Sequence, residues 1–244
     1  MKNKIYFVNF MFFFLIFSNT LLIVNAFDYG VGVHKDQEII WKCNFCNEVE
    51  MNNIFGNEWD DSGVFKNLSI GKHMKWKINS VEINQSLSRI NISIWEWTSK
   101  KVWGPQDNNS EITYFFDSTE SNFTMYRSLV PFWFPVPVGE FMGNLNLNKW
   151  YDVDNRVLPT LNVEIGKDAI SLGFPQKDIK IIAIYNDQGI LNSYKLYSTG
   201  NVVVIDIALD FLPFYVVPTL IGLIIGLSLS LGLFIYKKRK SRSN

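Results

Sequence analysis

Ile179-Lys180-Ile181-Ile182-Ala183-Ile184-Tyr185, then Asn186-Asp187-Gln188-Gly189, then Ile190 to Tyr197, then Ser198-Thr199-Gly200, then Asn201 to Leu209: three β-branched and aromatic runs, separated by short turns that each end in glycine, spell an antiparallel meander. In the last run Val203, Ile205, Ile207 and Leu209 alternate with Val202, Val204, Asp206 and Ala208. One face is therefore apolar and the other turns polar toward its end. The same alternation marks two earlier strands. From Ser69 to Val81, Met74, Trp76 and Ile78 alternate with His73, Lys75, Lys77 and Asn79, and from Leu87 to Trp97, Ile90, Ile92 and Ile94 alternate with Arg89, Asn91, Ser93 and Trp95.

Between these regions the pattern is less regular. Tyr114 to Phe116 and Phe123 to Tyr126 suggest two further strands, and Val130 to Val138 then sets Pro131, Pro135 and Pro137 among aromatics. Proline cannot donate in a ladder, so this segment reads as an edge, a polyproline-like strip or a loop. Val138 to Leu147 tolerates a short helix. The expected fold is mainly β, a curved antiparallel sheet over 27–212 arranged as a sandwich or a partly open barrel, with one short helix.

Working outward, the chain carries an apolar run from Phe214 to Tyr236, followed at once by Lys237, Lys238, Arg239, Lys240 and Arg242. At a helical rise of about 1.5 Å per residue such a run crosses a bilayer core of roughly 30 Å. The expectation is a transmembrane helix over 213–236 and, by the positive-inside rule, a cytoplasmic tail over 237–244. At the other end Lys2 and Lys4 precede an apolar stretch from Phe10 to Val24, and Val24-Asn25-Ala26 offers small residues at a cleavage site. A cleaved signal peptide over 1–26 is favoured over an uncleaved anchor because Ser18, Asn19 and Thr20 shorten the apolar core. These segments predict a type I cell-surface protein whose first partner is the membrane lipid bilayer.

All 23 acidic residues lie between Asp28 and Asp210. An acidic ectodomain repels nucleic acid, which is excluded as a partner on that ground. The chain as a whole resembles surface proteins of Asgard archaea that carry a leader and a C-terminal anchor. The resemblance rests on the Phe27-Asp28-Tyr29-Gly30-Val31 start, the Gly71 to Ile78 strand opening, the Pro-rich aromatic centre and the Tyr185 to Leu191 hairpin. It implies a curved antiparallel sheet outside the cell and brings no activity or functional residues.

Cys43 and Cys46 are the only cysteines, and in an exported chain a disulfide is the first expectation. A redox centre would need a helix N-terminus after a strand, whereas Ile39 to Val49 reads as β with no capping signal. Zinc would need two more ligands from a chain whose histidines are His34 and His73. Carboxylates gather at Glu58, Asp60 and Asp61 and at Asp152 and Asp154, but without the spacing of a calcium loop, so they read as solvated turns. There is no Gly-x-Ser-x-Gly elbow, no phosphate loop and no His-Glu-x-x-His. The expectation is therefore a non-enzyme with no cofactor and no metal.

Five sequons, at Asn67, Asn84, Asn91, Asn108 and Asn122, all precede Phe123 and predict a glycosylated, membrane-distal half. Two functions from different classes fit. One is a surface module that binds an extracellular protein or glycan or covers the membrane. The other is a carrier for an apolar, lipid-like ligand held on the concave sheet face by Phe132, Trp133 and Phe134. In the anchor, Gly222, Gly226 and Ser230 recur every four residues and would let two helices approach closely enough to form a homodimer.

Overall fold

The computed structural model describes residues 29–99, 102–116, 128–167, 177–210, 221 and 223–228. The expected leader, the basic tail, Asn122, Gly222, Ser230 and most of the apolar run lie outside these residues. The described chain forms strands β1 (Glu38–Cys46), β2 (His73–Ile83), β3 (Leu87–Thr98), β4 (Asn108–Phe115), β5 (Tyr151–Asp154), β6 (Thr160–Ile165), β7 (Ile179–Tyr185), β8 (Leu191–Ser198) and β9 (Val202–Leu209). Helix α1 (Glu48–Phe55), a 3-10 turn (Gly63–Phe65) and helix α2 (Val138–Gly143) lie between them.

The strands make one nine-stranded sheet in the order β4-β3-β2-β1-β9-β8-β7-β6-β5. Every pairing is antiparallel. The chain steps outward from the centre along β1 to β4, crosses over, and steps back inward from β5 to β9. The meander read from the sequence is β7 to β9. A second sheet does not form among the described residues, which removes the sandwich. The outermost strands β4 and β5 do not pair, so the sheet is open.

Register shows why one face is buried. Ile94, Trp76 and Ile39 align across β3, β2 and β1; Cys43, Ile207 and Tyr194 align across β1, β9 and β8; Tyr194, Ala183, Leu161 and Val153 align across β8 to β5. The opposite face is polar. Along it Ser93 bonds Asn79 and Asn109, Asn91 bonds Ser80, Arg89 pairs with Glu82 and Glu111, and Lys195 pairs with Asp206.

The apolar face is covered in two parts. Met51 and Ile54 of α1, with Trp59, Phe65 and Leu68 after it, are buried over one part, where the Phe65 ring meets Tyr194 edge-on at 5.9 Å. The strip from Leu129 to Phe134 covers the rest. Pro131, with Pro135 and Pro137 just beyond it, keeps it from forming a strand, and its backbone meets the sheet in an isolated antiparallel bridge between Trp133 and Ile190, through Phe134 N to Gly189 O at 2.8 Å and Leu191 N to Phe132 O at 2.9 Å.

Four carbonyls between Ser128 and Trp133 are met by tyrosines that project from the sheet, and the Ser128 hydroxyl donates to Val130 O. Tyr114 of β4 donates to Trp133 O at 2.9 Å, Tyr151 of β5 to Leu129 O at 3.0 Å, Tyr185 of β7 to Pro131 O at 2.8 Å, and Tyr194 of β8 to Ser128 O at 3.2 Å. Burial holds the Tyr151 and Tyr194 hydroxyls well above the usual phenol range, so both remain donors.

These bonds show that the sheet is curled. Laid flat, nine strands would hold β4 and β5 about 38 Å apart. Their tyrosines nevertheless reach carbonyls only four residues apart, at most about 14 Å of chain, which requires the edges to fold toward one another. Phe141 of α2 completes the bridge, touching Tyr114 at 5.3 Å while α2 packs against β5.

Two sequence expectations are corrected. A helix follows β1 directly: Asn47 accepts from Glu50 N at 3.1 Å and caps α1, so the β pattern does not continue to Val49. Asp152 and Asp154 lie in the edge strand β5 rather than in a turn.

The turn glycines separate two kinds of constraint. A Cβ at Gly189 (φ 80) would stand 2.0 Å from Phe134 O, whereas one at Gly200 (φ 79) would meet nothing within 4 Å. Gly200→Ala should lower stability only by the left-handed strain, about 1–2 kcal/mol. Gly189→Ala should lower it further by forcing the strip off the turn; equal losses on urea denaturation would show that the strip is not seated there.

Candidate functional site

Phe132, Trp133 and Phe134 are 3 %, 1 % and 0 % exposed. Phe132 packs on Trp41 and Trp76 at 5.2 and 5.9 Å, and Phe134 packs on Tyr185 at 4.9 Å. The strip expected to contact an apolar ligand is thus the core that fills the concave face. Its residues line no described cavity.

The open space on that face lies to one side, between the 3-10 turn and strands β2 to β4. A groove of about 420 Å³ there has Trp76 and Ile94 in its floor and Lys66, Glu96, Asn108 and Ser110 on its rim. Lys66 Nζ pairs with Glu96 at 2.9 Å, and this pair raises the lysine's pKa above its ordinary value. Asn67 Nδ2 donates to the other Glu96 oxygen at 3.3 Å.

The sequons fall in different settings. Asn108 and Ser110 share the groove, and Asn67 is exposed next to it. Asn84 is exposed at the β2–β3 turn, where its Oδ1 accepts from Ser86 N and Leu87 N. Asn91 is on the polar face, bonded to Ser80, and its sequon hydroxyl Ser93 is buried. Glu38 pairs with Lys77, beyond the Trp41–Leu209 pair, so the β2–β3 turn with Asn84 leads off from the end of the sheet at which β9 stops.

Cys43 is fully buried and Cys46 half-buried, and both are free thiols in this structure. In a straight strand residues three apart face opposite ways. Here a β-bulge between Cys43 and Phe45 turns Cys46 toward its partner, and the two thiols hydrogen-bond to one another. That bond lowers the Cys43 pKa, while the bond, burial and the Glu48 and Asp60 carboxylates push Cys46 up. The pair sits between a strand and the capped start of α1, the setting that the sequence did not signal. Oxidation should leave both residues resistant to iodoacetamide until reductant is added; alkylation of Cys46 in exported protein without reductant would contradict this.

Carboxylates do not assemble a metal site: among the described residues no three His, Cys, Asp or Glu side chains converge. Asp154 is held at about 2 by a two-pronged bond from the Arg156 guanidinium. On the polar face Lys75, only 5 % exposed, pairs with Glu38 at 3.1 Å and lies 3.9 Å above the Trp95 ring and 5.2 Å from Trp103. That cation–π box already holds its cation.

At the exit from β9, Asp210 N donates to Ile40 O at 2.7 Å and its carboxylate lies 3.5 Å from His73 Nε2. No protein-family model matches the chain, and neither does any curated protein or solved structure.

Burial lowers the His73 pKa despite Asp210, with Lys42 adding to the shift. The folded state therefore takes up the proton less readily than the unfolded chain, and stability present above about pH 6.5 declines as pH falls toward the lower folded value. His73→Gln should flatten that decline in urea denaturation at pH 5 to 7; an unchanged slope would place its origin elsewhere.

Proposed function

We propose that this chain is a single-pass, membrane-anchored surface protein whose β domain acts by binding or covering rather than by catalysis. The observation that carries the reading is the junction at Asp210. The sheet's hydrogen bonding continues to that residue, and the apolar run begins at Phe214. Helical backbone occurs at 221 and 223–228. Ile221, Leu223, Ile224, Ile225 and Leu227 are all more than half exposed, a surface that calls for an apolar surrounding. Ser228 turns its hydroxyl back onto Ile224 O at 2.8 Å, the internal satisfaction that lipid demands. No helix among the described residues is itself long and apolar enough to cross a membrane, so the spanning length rests on the sequence from Phe214 to Tyr236.

Three residues of linker leave the domain little freedom to swing. The ligand-facing surface would be the polar sheet face, and the partner an extracellular protein or glycan. The carrier reading loses its support, since its three aromatics are core. A Cβ at Gly226 would meet nothing within 4 Å, which leaves room for the anchor to pair with a second copy along its small-residue stripe.

Expressed in a secreting cell, the full chain should stay with membranes through carbonate extraction, begin at Phe27 on N-terminal sequencing, and be released into the medium when truncated after Leu212. Full-length protein in the carbonate supernatant would overturn the anchor, and a retained Met1 would replace the cleaved leader by a second membrane segment.

A further inference from the structure

We propose that the groove between the 3-10 turn and β4 is the seat of an N-linked glycan carried by Asn108, a modification that rests on the exported reading above. Residues two apart on a strand share a face, so Asn108 and its sequon hydroxyl Ser110 point together into the cavity, and both are exposed there. The Asn108 side chain is already oriented. Its Oδ1 accepts from Asn109 N at 2.8 Å, while its Nδ2, the atom that would bear the sugar, makes no hydrogen bond among the described residues.

The cavity suits a sugar chemically. Pyranose rings present apolar C–H faces and a rim of hydroxyls, and the groove offers a floor of Trp76 and half-buried Ile94 beneath the Lys66–Glu96 pair and Asp61. The volume of about 420 Å³ falls in the range of sites that enclose a small organic ligand, enough for the first sugars of a glycan. Position adds a second benefit: β4 is an outer strand of an open sheet, and a glycan there obstructs the addition of a foreign strand.

Two of the other described sequons act as internal comparisons. Asn84 sits on an exposed turn outside this groove, and Asn91 lies on the opposite face bonded to Ser80. A glycan at Asn84 would extend into solvent, whereas one at Asn108 would pack against the protein and stabilise the folded state.

The test uses the full chain from a glycosylating cell line, extracted in detergent. Glycopeptide mass mapping should find Asn108 occupied. Asn108→Gln and Ser110→Ala, which remove the same glycan by different substitutions, should each lower Tm by about 2–4 °C. Asn84→Gln should not, and after enzymatic deglycosylation all four proteins should melt together. An occupied Asn84 with a bare Asn108, or an occupied Asn108 whose loss shifts Tm no more than loss of Asn84, overturns the seated glycan while leaving export intact. A protein glycosylated at no sequon overturns the export reading itself.

Discussion

A segment with three prolines cannot run along a sheet as a full strand, yet this one is buried against a sheet that it pairs with only at the Trp133–Ile190 bridge, and its other carbonyls must find donors away from water. The tyrosine hydroxyls of β4, β5, β7 and β8 are those donors. Three pair a buried phenol with a buried carbonyl and Tyr114 adds a half-buried one, so the groups are not left unsatisfied, and together they fix the strip at points drawn from both arms of the sheet. Curvature follows from that arrangement. The strip is short, the edges are far apart in the strand order, and only a curled sheet lets both reach it. Trp41 extends the same logic to the centre, donating from Nε1 to Leu191 O at 2.7 Å beside Phe132.

The topology gives the domain a central seam. β1 and β9, the first and last strands, pair in the middle of the sheet, and the chain leaves from that seam while still bonded to it at Asp210. A load on the exit would therefore fall on central strands and not on an edge. The two edges are managed differently. Arg156 beside β5 engages Asp154, and β4 carries exposed polar residues from Asn108 to Glu111, both features that discourage pairing with another sheet.

Much of this architecture was legible in the sequence. Turn chemistry at Asn186 to Gly189 and Ser198 to Gly200 located β7 to β9, and alternation located β2 and β3, because period-two burial on one face leaves a local imprint. Helix α1 was hidden because a single asparagine, Asn47, stops a strand and caps a helix within an apolar context. β5 was hidden because four residues, Tyr-Asp-Val-Asp, are too few to show a period. The role of the aromatic strip was not readable, since proline content says only that the segment is outside a ladder, and which face it covers depends on tyrosines up to 66 residues distant. The groove beside Asn108 likewise exists only once β4 and the turn near Gly63 are brought together, whereas the apolar runs near the two ends are properties of composition that the sequence carries by itself.

The central claim, that tyrosine-to-carbonyl bonds hold the plug in the sheet, is tested most directly by urea denaturation of Tyr185→Phe against Tyr197→Phe, which lies on the opposite face of β8. The account predicts that Tyr185→Phe, which strands the buried Pro131 carbonyl, loses about 1–3 kcal/mol, with Tyr197→Phe unchanged within about 0.5 kcal/mol. Equal, small effects for both variants would contradict it.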